Sequence, residues 1–207
     1  MGKRQTQGKN SYGYVNARYI RHTSKKTGRK VTAGVKKVIY YNAYGNKLIN
    51  PEVRQRGPIY DERGKQVSYK AYKEWGVGRI ADSKYTYRVI VSPKGHLLED
   101  KDFVDSVASS LDEMEFGQEF RLVVHRDTDH AHAHVMFQTE KTINKGTLEA
   151  WKTGLRQQMM SFEEKRAKEK GISVPTVDES GAETAVQKKT RKRSRRRRRA
   201  RGKDMSL

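Results

Sequence analysis

The alternation of apolar and polar residues predicts a mixed α+β domain. β-branched and aromatic residues fill positions 85–93, and a Ser-Pro pair closes the run, which indicates a strand buried on both faces. Two further apolar runs, at 119–125 and 132–139, flank a short polar loop, which predicts two antiparallel neighbours. We expect these strands to form the centre of an antiparallel sheet, with the strand at 85–92 close by.

Helical spacing of apolar residues predicts the elements that cover this sheet. Residues 99–116 and 146–170 carry apolar stripes at intervals of three and four, as in Trp151, Leu155 and Met159. Weaker patterns predict short helices at 14–26, at 31–44 (where a strand is the alternative) and at 68–75, the last ended by Gly76. Turn residues indicate an irregular or hairpin-like connector at 45–67.

The pattern also divides the chain into three parts. Polar, Gly-rich residues 1–13 are predicted to be flexible, and 14–171 to form one domain. Residues 172–207 read as a polar linker followed by an Arg/Lys-rich tail. Because a block of like charges repels itself, we expect a disordered tail that tethers nucleic acid through residues such as Arg195, Arg196 and Arg197.

The charge balance points to a polyanionic partner. The net charge is +21, and after the basic tail is set aside, 33 basic and 23 acidic residues remain in positions 1–187. Nucleic acid is therefore favoured over an anionic membrane, since we find no basic amphipathic helix with a strong apolar face. The absence of cysteine excludes disulfides, cysteine-ligated zinc and thiol catalysis. Without an apolar signal core or span, we expect a cytoplasmic protein with no membrane insertion.

Four of the six histidines lie within ten residues, in the run His125-Arg-Asp-Thr-Asp-His-Ala-His-Ala-His134. Alternate residues of a strand share a face, so His132 and His134 point the same way, and the short loop brings His125 back beside them. The alternative is three solvent-facing histidines at a sheet edge. Convergence of three imidazoles, with room for substrate oxygens, instead predicts a catalytic metal site. Loop residues Asp127, Asp129 and His130 are candidates for orienting the ligands or for acid–base work.

Three motifs together resemble those of conjugative relaxases, the plasmid mobilisation nucleases of the HUH endonuclease superfamily. The histidine run is similar to the third relaxase motif, especially in the branch with the T-DNA border nicking enzymes. Arg18-Tyr19-Ile20-Arg21 resembles the motif of the nucleophilic tyrosine, and the stretch from Arg88 to Pro93 resembles the second motif. The resemblance spans roughly residues 14–165.

The resemblance implies site- and strand-specific nicking of DNA. Tyr19 would attack a phosphodiester and stay joined to the 5′ phosphate, with Tyr12, Tyr14 and His22 as alternative nucleophiles. A phenol is a weak nucleophile at neutral pH, so a divalent metal, Mn or Mg by family and Zn or another transition metal by ligand type, would polarise the phosphate. Asp127 would orient a ligand or help take the tyrosine proton, and Ser92 would bind the DNA backbone. Further DNA-binding candidates are Arg18, Arg21, Lys25, Lys26 and Arg88.

The implied partners are single-stranded DNA at an origin of transfer, accessory relaxosome proteins and a coupling protein. A rolling-circle replication initiator would use the same chemistry on a different DNA site. Two other possibilities are a non-catalytic basic DNA-binding protein with a vestigial metal site, and a metal-dependent hydrolase of another phosphoester.

Overall fold

The computed structural model describes residues 13–45, 55–93, 97–114, 119–128 and 130–172. Within these ranges the fold is α+β, as predicted, with a six-stranded antiparallel sheet in the order β1-β4-β6-β5-β2-β3 and four helices. The strands are β1 (Tyr14–Arg21), β2 (Ile59–Asp61), β3 (Gln66–Val67), β4 (Tyr85–Ser92), β5 (Phe120–His125) and β6 (His132–Thr139). The helices are α1 (Ala33–Tyr44), α2 (Tyr69–Gly78), α3 (Asp100–Asp112) and α4 (Lys145–Glu169).

The two faces of the sheet carry different side chains and are covered by different helices. On β6, Ala133, Val135 and Phe137 belong to a core that includes residues of α3 and α4. Met136, which lies on the alternate face, belongs instead to a second core formed with α1 and α2. Because side chains alternate along a strand, His132 and His134 share the face of Met136. We call this the histidine face, and the side covered by α3 and α4 the opposite face.

The predicted central strands are confirmed. β6 lies between β4 and β5, with Val135 opposite Val89 on one side and Leu122 on the other. The segment predicted at 31–44 forms a helix, as favoured, which begins at Ala33, and the connector contains the β2–β3 hairpin. The polar termini at 1–12 and 173–207, with Arg195, Arg196 and Arg197, lie outside the described residues, and their predicted flexibility and the three-part division stay predictions.

Local capping determines where the two long helices begin. Glu99 and Asp102 form a reciprocal capping box at the start of α3, in which the Asp102 carboxylate accepts from Glu99 N at 2.8 Å. At α4, the Asn144 side chain accepts from Thr147 N at 2.8 Å. α3 ends at Asp112, earlier than predicted.

Gly76 does not end α2, which was a wrong prediction. The helix continues to Gly78, and a Cβ atom on Gly76 would lie 2.6 Å from Ile39 Cδ1 and 2.8 Å from Met136 Cε. The glycine is therefore explained by the close approach of α2 to α1 and β6.

The segment at 14–26 is also a correction, because it begins with a strand and not with a helix. β1 pairs with β4 over its whole length, from Tyr14 opposite Ser92 to Arg21 opposite Tyr85. The helical prediction relied on the spacing of a few residues, and such spacing over a short segment is ambiguous between helix and strand. Pairing with an already hydrophobic strand outweighs that weak preference.

In the part of the chain that the structure describes, we find no helix with the length and apolar character that crossing a membrane requires.

Candidate metal centre

The histidine triad (His125, His132 and His134) lies where β5 and β6 meet their connecting loop. His125 is the last residue of β5 and sits opposite His132, the first residue of β6. One nitrogen from each ring can be chosen so that all three lie within 4.8 Å of one another. His125 Nδ1 and His132 Nε2 are 3.2 Å apart. The three imidazoles thus converge, as the sequence predicted, on one point that could hold a metal ion.

In two of the rings, the nitrogen that does not face the other histidine is hydrogen-bonded to a backbone carbonyl. His125 Nε2 lies 2.7 Å from the Asn42 carbonyl of α1, and a carbonyl can only accept, so Nε2 carries the proton. His132 Nδ1 lies 3.2 Å from the His130 carbonyl and donates in the same way. In both rings the nitrogen that faces the other histidine is therefore left with its lone pair free, which is the tautomer that a metal ligand requires.

His134 contributes a buried nitrogen without a partner. Its Nδ1 is buried and accepts or donates no hydrogen bond within the described ranges. Burial, followed by the charges of neighbouring His125 and His132, lowers the pKa of His134 to about 2. Burial and the nearby Arg56 guanidinium lower the pKa of His125 to about 4. Neutral imidazoles and an unsatisfied buried nitrogen fit a divalent transition ion, because such an ion uses neutral imidazole donors.

The loop between β5 and β6 is attached to both helical layers. Arg126 Nη2 donates to Asp100 at 2.6 Å and to the Leu98 carbonyl at 2.9 Å, next to the start of α3. The following residue, Asp127, forms a bidentate ion pair with Arg56 at 2.7 and 2.9 Å. Since Arg126 and Asp127 directly follow His125, these contacts hold the end of β5 from two sides.

Arg56 was not predicted from the sequence, and it changes how Asp127 is understood. Its backbone N donates to the Ala43 carbonyl of α1 at 2.8 Å, so one residue joins α1 to the histidine loop. The neighbouring Gly57 allows the chain to lie close to β5, since a Cβ there would lie 1.8 Å from Val124 O. Hydrogen bonding to Arg56 lowers the pKa of Asp127, which makes it a poor base. The structure pairs Asp127 with Arg56, where we expected it to orient a histidine or accept a proton.

Tyr19, the predicted nucleophile, lies on the opposite face of the sheet. It is the partner of Tyr87, whose ring stacks on Phe137 in the opposite-face core. The Tyr19 ring packs 5.5 Å from that of Tyr85 and 5.7 Å from that of Tyr87. The sheet therefore separates Tyr19 from the histidine triad, because directly paired residues share a face.

Among the described residues, Tyr41 of α1 is the tyrosine whose ring is seen to contact the triad. Its ring centroid lies 5.7 Å from that of His134, in an edge arrangement, and the Arg88 guanidinium carbon lies 5.3 Å from its centre. Sequence reasoning missed Tyr41 because it stands among several tyrosines in a segment of ambiguous periodicity. The one available signal was helical phase, since Val38 and Tyr41 are three residues apart and share one side of a helix.

Other predicted DNA-binding residues lie on both faces of β1 and β4. Ser92 and Tyr14 are partners at the triad end of the histidine face, one position beyond the Val91–Ala133 pair. Arg18 and Arg88 are also partners on this face. Arg21 is on the opposite face, and Lys25 and Lys26 are exposed in the turn that follows β1.

Of the remaining candidates, His130 touches the triad through its backbone and His22 lies far from it. His130 is an exposed loop residue whose carbonyl accepts from His132. His22 is buried at the far end of the sheet and bonded at both nitrogens, to Ser83 O at 3.0 Å and Thr86 Oγ1 at 2.6 Å. Asp129 and Tyr12 lie outside the described residues.

Residues 65–172 match the family model of the relaxase MobA/VirD2-like nuclease domain, which is just over half of the chain. The chain belongs to this relaxase family. The matched region contains the whole histidine triad, whereas β1 and α1, with Tyr19 and Tyr41, precede it.

Comparison with solved structures finds one determined in work on the molecular basis of vancomycin resistance transfer in Staphylococcus aureus. It shares 12% sequence identity with the relaxase-family chain, at a TM-score of 0.47, over 78% of this chain and 95% of the other. No curated protein matches the sequence.

Proposed function

We propose that this protein is a DNA-nicking relaxase that cleaves one strand by transesterification, with a divalent metal held by the histidine triad. The observation that carries the proposal is the convergence of three imidazoles within a relaxase nuclease domain. When bound there, the metal would supply a positive charge that polarises the scissile phosphate. The substrate is single-stranded DNA, and an origin of transfer is the site that a relaxase of plasmid or mobile-element transfer would use.

We assign the nucleophile to Tyr41 in place of Tyr19. The Tyr41 ring lies against His134 on the histidine face, whereas Tyr19 is on the opposite face. Tyr14 shares the histidine face but lies on β1, two strands from β6, at a lateral distance of roughly 10 Å. Tyr41 is therefore the tyrosine best placed to reach a phosphate held at the triad.

The covalent step exchanges one phosphoester for another. The phenolic oxygen of Tyr41 forms a bond to phosphorus while the bond from phosphorus to the 3′ oxygen breaks. The phenol proton leaves and the 3′ oxygen gains a proton, so the products are a 5′-phosphotyrosyl strand and a free 3′ hydroxyl. Because the phosphoester is conserved, the 3′ hydroxyl can attack the phosphotyrosine and rejoin the strand.

Arg88 and Ser92 line the approach to this centre from β4. Arg88 lies over the Tyr41 ring, where its guanidinium can hold a phosphate oxygen close to the attacking phenol. Ser92, at the triad end of the same strand, offers a hydroxyl for the DNA backbone. Asp127 supports the site indirectly, through the Arg56 ion pair next to His125.

The test is covalent capture of labelled DNA by the full chain. The protein is incubated with Mn²⁺ and a library of labelled single-stranded oligonucleotides, run on a denaturing gel, and the adduct is mapped by mass spectrometry. We expect an adduct on Tyr41 that disappears in Tyr41→Phe and persists in the matched variants Tyr19→Phe and Tyr14→Phe. An adduct that survives in Tyr41→Phe rejects the nucleophile assignment, and the absence of any adduct despite DNA binding rejects transesterification.

A further inference from the structure

β1 is an edge strand whose tyrosines remain open to solvent. It lies at the end of the strand order, so β4 is its one neighbour in the described sheet. Tyr14 is 54% exposed and Tyr19 is 55% exposed, although large aromatic side chains are normally covered. Tyr14 belongs to the histidine face, but the exposure of Tyr19 on the opposite face is unexplained by the proposed nicking site.

The strand and the turn after it carry positive charge alone. Positions 14–30 contain six Lys and Arg residues and no acidic residue, and the first acid of the chain is Glu52. Within the described ranges none of the six forms an ion pair, since every such pair involves other residues. The Lys30 ammonium donates to the Ile80 and Ala81 carbonyls, whereas the charge of the other five is available to an external polyanion. The six are Arg18, Arg21, Lys25, Lys26, Arg29 and Lys30.

Tyr19, Tyr85 and Arg21 together form an aromatic and cationic platform. The Tyr85 ring meets Tyr19 at 87°, edge to face, with 5.5 Å between centroids. Arg21 also contacts Tyr85, with its Cζ 5.8 Å from the Tyr85 ring centre and its Nη2 3.5 Å from the Tyr85 hydroxyl. The contact with Tyr85 restrains the Tyr19 ring, so little conformational entropy would be lost when a planar ligand stacks on it.

We propose that this platform is a second binding site for single-stranded nucleic acid, separate from the nicking centre, in which an unpaired base stacks on Tyr19 and Arg21 contacts the adjacent phosphate. An exposed aromatic ring among unpaired cations fits a strand with free bases, because stacking supplies affinity without sequence choice and the cations neutralise phosphates. A duplex keeps its bases stacked internally and cannot use Tyr19 in this way.

This second site rests on the proposed function, because it assumes that DNA is the ligand, and it adds a place where the strand is held. A strand held at the triad and also at Tyr19 would have to pass from one face of the sheet to the other, and the β1 edge offers one route. The platform would thus retain DNA outside the cleavage site, which suits an enzyme that must keep hold of a nicked strand.

Two substitutions at position 19 separate stacking from other roles. Tyr19→Phe keeps the ring and removes the hydroxyl, whereas Tyr19→Ala removes both. We expect Tyr19→Ala to weaken binding to an oligothymidylate by about 5- to 150-fold at fixed salt, as loss of one stacked base implies. Tyr19→Phe should bind within about twofold of the unchanged protein, and duplex DNA of equal length should bind all three proteins alike. Fluorescence anisotropy measures each affinity.

A photochemical experiment tests the contact directly, so that DNA binding elsewhere on the chain cannot mask it. An oligonucleotide carrying 5-iododeoxyuridine is irradiated with the full chain, and crosslinked peptides are identified by mass spectrometry. A crosslink within the peptide that contains Tyr19, lost in Tyr19→Ala, supports the site. The proposal is overturned if Tyr19→Ala binds single strands normally, if it loses single-strand and duplex binding equally, or if crosslinks form elsewhere and not at Tyr19.

The outcome is distinguishable from failure of the nicking proposal. Tyr41→Phe should lose the covalent adduct and retain Tyr19-dependent binding of single strands. A chain that forms no adduct but binds single strands through Tyr19 would reject nicking and keep this site.

Discussion

Two groups of buried polar residues lie on the histidine face, at opposite ends of the same strands, and they differ in how their histidines are satisfied. At one end is the histidine triad. At the other, His22 packs with Ser83, Thr86 and Gln138. Gln138 and His134 are four residues apart on β6, a separation of roughly 13 Å, and Met136 lies between them in an apolar core.

Burial lowers the histidine pKa at both ends, so the pKa direction does not distinguish the two groups. The hydrogen bonds of the histidines do distinguish the two groups. Both nitrogens of His22 have partners, whereas His134 Nδ1 has none in the described part of the chain. Buried polar groups are normally paired, so a histidine bonded at both nitrogens is explained by folding, whereas a converging set with an unpaired nitrogen supports the proposed metal binding.

The largest expected difference between the two ends is in DNA nicking. His134→Gln should lower the nicking rate by about 10²- to 10³-fold, because it removes a donor from the ion that stabilises the transition state. The matched variant His22→Gln should nick within a few-fold of the unchanged protein. Single-turnover cleavage with Mn²⁺ measures both rates. Equal losses in the two variants would contradict the distinction.

Metal-induced stabilisation should follow the same division. An ion at about 100 times its Kd stabilises a folded protein by about 2.7 kcal/mol, which corresponds to roughly 5–10 °C in Tm for a domain of this size. We expect Mn²⁺ to raise the Tm of the unchanged protein and of His22→Gln by similar amounts, and not that of His134→Gln. Differential scanning calorimetry with and without chelator provides the measurement. A normal Tm rise in His134→Gln would count against the triad as the metal site.

Loss of the Arg56–Asp127 ion pair should weaken metal binding at the triad. Arg56→Met is expected to weaken metal affinity by about 10- to 100-fold, since it removes the guanidinium that holds the loop directly after His125, while the backbone contact of residue 56 with α1 remains. Exchange of the two charges, Arg56→Asp with Asp127→Arg, should recover part of the loss. The control is Arg166→Met. Arg166 also forms ion pairs, but with Asp102 in the first turn of α3 and with Glu99 just before that helix. Calorimetric titration that shows equal affinities for Arg56→Met and Arg166→Met would exclude this role.

The smallest expected effect is at the end of the strands where His22 lies. Thr86→Val keeps the side-chain shape and removes the oxygen that contacts His22 Nε2 and Gln138 Nε2. Leaving buried donors or acceptors unpaired costs about 1–3 kcal/mol, so Tm should fall by several degrees. Metal affinity should remain unchanged, as calorimetric titration can establish. A loss of metal affinity would show that the two ends are coupled through β4 and β6.

Much of the candidate site was predictable because its ligands are close in sequence. Alternation placed His132 and His134 on one face, and a short loop between adjacent strands returned His125 to them. The strands at the centre of the sheet and helices α3 and α4 were predictable for a similar reason, since each carries a strong apolar period of its own.

Contacts between distant segments were not predictable in this way. Tyr41 meets His134 from a helix more than ninety residues earlier, and Arg56 reaches Asp127 across seventy-one residues. Tyr19 was predicted to be the nucleophile on the strength of its neighbours in sequence, but strand pairing places it on the opposite face. β1 is a strand and not the predicted helix. Because alternate residues of a strand share a face, this decides which residues of β1 lie on the side of the histidines.

The sequence by itself determined the chemistry available to this relaxase-family protein: two imidazoles at strand spacing with a third just before a short loop, a basic composition and no thiols. Local periodicity and composition carry that information, because each depends on residues that are neighbours in the chain. The tertiary structure decided which tyrosine stands beside the triad, which arginine holds its loop, and which buried histidine is hydrogen-bonded at both nitrogens. Those outcomes depend on sheet register and on the packing of α1 against the sheet, which no single segment encodes.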